Sequence, residues 1–130
     1  MTKKRSIEVP GVTHGDTPIP MGARVGNMIF SSGILGKDPA TNQLPEGAAE
    51  QVSFAFQNMK TLVTRGGGSL NDIARVTVFI KNNSVRPHIN MHWLELFPDP
   101  EDRPARHIQV VDLPGTMLVQ LEMIAVVQGG

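Results

Sequence analysis

The sequence predicts an α+β fold: a mixed sheet with two helices on one face. Three observations carry that prediction. Strand-like runs outnumber helical ones, in the order β-β-β-α-β-α-β-β. Two amphipathic stretches, 46–65 and 85–97, are long enough to cover one face of a sheet. No third helical stretch remains for the other face, so self-association through it is expected. The chain has 130 residues, which fits one domain spanning 1–130.

Each element has a local reason. Residues 5–9 (RSIEV) read as a short edge strand stopped by Pro10-Gly11, and 10–22 as a Pro/Gly-rich loop. Val25, Met28, Ile29 and Phe30 fit two strands joined by a Gly26-Asn27 turn, the second ending at Ser31-Ser32-Gly33. GKDPATNQLP is a turn-rich loop. In 46–65, Val52, Phe56, Met59 and Val63 form one apolar face. Acidic Glu46 and Glu50 sit near the start of that helix and Lys60 and Arg65 near its end, as the helix dipole prefers. Gly66-Gly67-Gly68 stops it. That triplet follows a helix and lacks a Gly-Lys-Ser/Thr ending, so it is no phosphate loop. IARVTVFIKN (73–82) is the clearest strand, with Val76, Val78 and Ile80 on one face. The second helix, about 85–97, has the stripe Val85, Ile89, His92/Trp93 and Leu96/Phe97, and Pro98, Pro100 and Pro104 end it. Strands at about 105–112 and 117–127 flank the turn LPGT.

Composition removes several function classes. There is no cysteine, hence no disulfide, thiol nucleophile or Cys-type zinc site. Lys+Arg and Asp+Glu are both 12, which argues against non-specific binding to nucleic acid or an anionic membrane. Five Phe, one Trp and no Tyr are too few for a base-stacking platform. No apolar run is long enough for a transmembrane helix. The N-terminal MTKKRSIEVPG lacks the apolar stretch of a secretory signal, so a cytoplasmic protein is expected.

The chemistry-bearing residues are few. In DRPARHIQVV, Arg106 stands at the mouth of an otherwise apolar strand. A guanidinium fork suits a carboxylate, although spacing alone favours a solvated strand-end arginine. His107 points to the opposite face by strand alternation. His88 and His92 are four apart on a helix, but no acidic partner completes a metal-binding pattern. Glu122 lies mid-strand with Gln120 on the same face. Ser31, Ser32 and Gly33 could present hydroxyls and an N–H to an anion, or form an ordinary turn. No Gly-x-Ser-x-Gly elbow or triad order is present.

Together, VGNMIFSSGILGKDPATNQLP, AAEQVSFAFQNMKTLV, GGSLNDIARVTVFIKN, RPARHIQVVDLP and LEMIAV resemble the reactive intermediate deaminase (RidA/YjgF) family over about residues 17–127. The resemblance implies a chorismate-mutase-like fold and a homotrimer: an inner barrel of strands, helices outside, and sites in clefts between subunits. It implies hydrolysis of enamines and imines such as 2-iminopropanoate, 2-iminobutanoate, aminoacrylate or aminomuconate, releasing ammonia and a keto acid, with no cofactor or metal. Carried over by position, Arg106 holds the substrate carboxylate, Ser32 and Gly33 line the pocket, and Asn90 lies near it. Ile19 stands where a tyrosine is frequent and Ile108 where a cysteine is frequent, so both polar contacts are absent. Where many members carry a water-positioning glutamate, an ungapped match puts Gln120. A two-residue shift puts Glu122 there. A neutral amide orients water but is not a useful base, which leaves a non-catalytic carboxylate binder as the alternative.

Overall fold

The computed structural model describes residues 4–128; the first three residues of the basic N-terminal stretch lie outside it. The chain forms β1 (Ser6–Ile7), β2 (Gly22–Val25), β3 (Met28–Ser31), β4 (Ile34–Leu35), α1 (Ala48–Arg65), β5 (Ile73–Ile80), α2 (Arg86–Leu96), β6 (Ala105–Val110) and β7 (Val119–Val126). The strands make one mixed sheet in the order β1-β2-β3-β7-β5-β6, with β4 also paired to β7. Among the described residues only β5 and β6 run parallel, and α2 is the crossover that a parallel pair requires.

The expected order holds, with one strand added. β4 is two residues long between Gly33 and Gly36, too short for a periodic signal. The first strand is shorter than 5–9: Val9 pairs with Val12 instead. The turn between β2 and β3 is two residues long, since Val25 faces Met28. Gly26 adopts φ 61° there, which a side chain would resist. Short 3-10 turns precede β5 and α2.

Both helices pack on one face. Val52, Phe56, Met59 and Val63 of α1 are buried, as are Val85, Ile89, Trp93 and Phe97 around α2, against Val76, Val78, Leu121 and Met123. Two buried polar side chains on α1 anchor neighbouring backbone. Gln51 donates to the Pro45 and Thr116 carbonyls and accepts the Leu118 N–H. Asn58 donates to the carbonyls of Leu35 and Lys37. They fasten β4 and the approach to β7 to the helix.

No helix covers the opposite face among the described residues. Thr77, Phe79, Gln120, Glu122 and Ile124 alternate onto it in register. An open depression of about 450 Å³ lies there, lined by Phe30, Arg75, Thr77, Phe79, Gln109 and Glu122 among others. No helix among the described residues is long and apolar enough to cross a membrane.

Candidate functional site

Two groups of the expected residues form, on different faces of the sheet. The first gathers at β6. Arg106 is in register with Val76 and Ile108 with Val78, so both point to the helix-covered side. The loop before β6 is held by Arg103, which donates to the carbonyls of Phe97 and Pro98 at the end of α2. The two arginines of DRPARH thus divide their work. Arg103 ties the chain down, and Arg106 projects over Trp93, its guanidinium carbon 5.0 Å from the ring centroid. Trp93 also packs on Phe97 at 4.8 Å, so it both fills the core and floors the arginine.

Arg106 is half-buried, and its Nη1 is buried without a hydrogen-bond partner. Burial, then the nearby charge of Arg86, pushes its pKa below the ordinary value. A buried donor with no acceptor costs free energy, a cost that an anionic acceptor within reach would offset. Asn90 is exposed on α2, one turn before Trp93, and so on the same side of the helix.

The second group forms where β3 and β4 meet β7. β3 pairs with Ile124–Val126 and β4 with residues 120 and 121. Between them the ladder is interrupted at Ser31–Gly33. The Ser31 hydroxyl accepts the Met123 N–H at 2.8 Å, replacing a lost backbone partner. Ser32 donates its hydroxyl proton to the Pro20 carbonyl at 2.8 Å, which leaves its oxygen as an acceptor. Gly33 lies against Gln120: a Cβ there would come within 2.8 Å of Gln120 Nε2. Gln120 is therefore the residue beside the Ser-Gly break. Glu122 is exposed in the depression of the open face, in register with Thr77 and, across β5, His107. Ile19 is 46% exposed on the loop leading to Pro20.

Two nearby residues were not singled out by sequence. His14 sits on that same loop beside the Gly33 backbone, with its Nε2 buried and unpartnered. Burial and Lys37 lower its pKa, against the opposing pull of Gly33 and Glu8. Arg86 at the start of α2 is the other. Neither lies in a local pattern that marks it, because each is placed by tertiary contacts. His92 stacks on Phe56 at 6.0 Å, and its Nδ1 lies 3.6 Å from Glu95, a packing role.

The architecture and sequence both match known proteins. Residues 20–127 match the family model described as Endoribonuclease L-PSP. A 2-iminobutanoate/2-iminopropanoate deaminase of Dermatophagoides farinae is 33% identical over 130 residues, 98% of this chain and 100% of the relative. The crystal structure of RidA from the Antarctic bacterium Psychrobacter sp. superposes with TM-score 0.85 at 30% identity, over 95% of this chain and 100% of that one. The structure of Escherichia coli TdcF with bound serine gives TM-score 0.84 at 30% identity, over 95% and 98%. On this match the chain belongs to the RidA/YjgF family.

Proposed function

We propose that this protein is a hydrolytic deaminase of small imine or enamine carboxylates, working as a homotrimer with its sites between subunits. The observation that carries the reading is Arg106, fixed over Trp93 with a buried Nη1 that no described residue satisfies. The relatives named as iminobutanoate/iminopropanoate deaminases and the serine-bound TdcF support the substrate class. The opposite facing of the two groups supports the assembly. Arg106 points to the helix side, and Gln120 and Glu122 to the open side. A site using both halves draws one from each of two copies.

In this mechanism Arg106 grips the carboxylate through two charge-assisted hydrogen bonds. The Gly33 N–H and the Ser32 oxygen fix the other end, near Asn90. Ile19 and Ile108 give apolar walls. A water held by Gln120 adds to the imine carbon; the tetrahedral adduct expels ammonia and leaves the keto acid. Glu122 is the alternative water holder, but Gln120 is the one against Gly33. Since an amide accepts no proton at neutral pH, the rate gain comes mainly from orientation. No cofactor is invoked. The same amide favours a second reading, a trimeric carboxylate binder without turnover.

Ammonia and keto-acid release from freshly generated 2-iminopropanoate and 2-iminobutanoate tests the proposal. Arg106→Ala should raise KM and lower kcat/KM by roughly 100-fold, as expected for lost charge-assisted bonds. Equal rates in the variant would refute the site. Wild type that binds pyruvate without accelerating hydrolysis would establish the binder instead.

A further inference from the structure

Arg86 opens α2, with Pro87 next to it in the first turn. Asn90 comes one turn later and Trp93 two turns later, so the three share a stripe. Trp93 is the residue on which Arg106 rests. The stripe therefore passes beneath Arg106 of β6, and the charge of Arg86 is close enough to act on that guanidinium. Arg86 donates from Nη2 to the Asn83 side chain at 3.2 Å, a neutral acceptor. Among the described residues neither arginine forms a salt bridge; the ion pairs present are Lys81–Asp112 and His92–Glu95.

That arrangement is costly for the empty protein. Like charges on two half-buried side chains repel, and a buried donor goes unmet. One carboxylate engages one fork. It satisfies Arg106 and leaves the charge of Arg86 over. The first turn of α2 adds partial positive charge at the same place. A substrate with a second negative group would neutralise both.

We infer that Arg86 is a specificity-determining residue and that the site favours dicarboxylate imines or enamines over monocarboxylate ones. This rests on Arg106 being the carboxylate holder.

The test uses full-length protein and stable keto-acid products as probes. Calorimetric titration compares 2-oxoglutarate and oxaloacetate with pyruvate and 2-oxobutanoate. Wild type should bind the dicarboxylates about tenfold more tightly or better, the range of one charge-assisted hydrogen bond. Arg86→Gln should bring the ratio near one while pyruvate affinity stays within about threefold. Arg86→Lys, which keeps the charge and guards against a folding artefact, should retain most of the preference. Ammonia release from the imines of glutamate and alanine, generated in situ by an amino-acid oxidase, should show the same order. An unchanged ratio in Arg86→Gln, or a wild-type preference for pyruvate, overturns the inference while leaving the deaminase reading standing. Undiminished binding of both classes by Arg106→Gln overturns the two together.

Discussion

His14 shows how a single residue acquires properties its own sequence neighbourhood does not reveal. Its loop is rich in Gly and Pro, and its ring is drawn under Gly33 by contacts across the chain. Burial disfavours the imidazolium, so the folded pKa lies below the ordinary 6.5. The unfolded chain then binds more protons than the folded one between the lowered value and 6.5. Stability from this group is present above pH 6.5 and is lost as pH falls through the folded pKa. Urea midpoints should therefore decline from pH 6.5 downward, and His14→Gln should flatten that decline. A variant with the same acid slope as wild type would remove His14 as its cause. Lys37 and Glu8 face the ring with opposite effects, so both must stay unaltered in the comparison.

At the scale of elements, α1 does more than cover the sheet. Gln51 is fully buried and serves three backbone groups on two loops. Gln51→Leu would leave those groups unpaired in the interior. The expected loss is about 3 kcal/mol, seen as a melting temperature lower by about 10 °C. Because Gln51 holds the approach to β7, activity should fall more than Gln120 being intact would suggest. The helix itself was legible in the sequence: Val52, Phe56, Met59 and Val63 recur on one face, and all four are buried. The same holds for the alternation in β5. β4 was not legible, because Ile34-Leu35 is a strand only through its pairing with β7. Arg106 and Gly33 could be named from motifs in register, and the water-positioning place narrowed to Gln120 or Glu122. Their division between two faces of the sheet required the pairing register, which no local pattern encodes.

For the whole molecule, the open face is the feature that calls for a partner. Phe30 is 41% exposed there, beside Phe79 and Ile124. With formal net charge zero, little long-range repulsion keeps copies apart. Sedimentation equilibrium should give three times the 14.1 kDa chain mass. Phe30→Glu, at an exposed position, should yield a folded monomer of low activity, since each site would lose its second half. A folded, fully active monomer would reject sites shared between subunits.

The interruption at Ser31–Gly33 has a bearing on how such a pocket diversifies. β3 is anchored by residues 124–126 and β4 by 120 and 121, and the Ser31 hydroxyl closes the gap between them. On its other side the segment stays tied: the Ser32 N–H donates to the Met21 carbonyl and the Ser32 hydroxyl to the Pro20 carbonyl. Gly33, by contrast, belongs to neither strand, and a side chain there would run into Gln120, so the bare backbone keeps the space beside that amide open. Pocket depth beside Gln120 thus turns on one position outside every strand ladder, where a change of size would alter no core side chain.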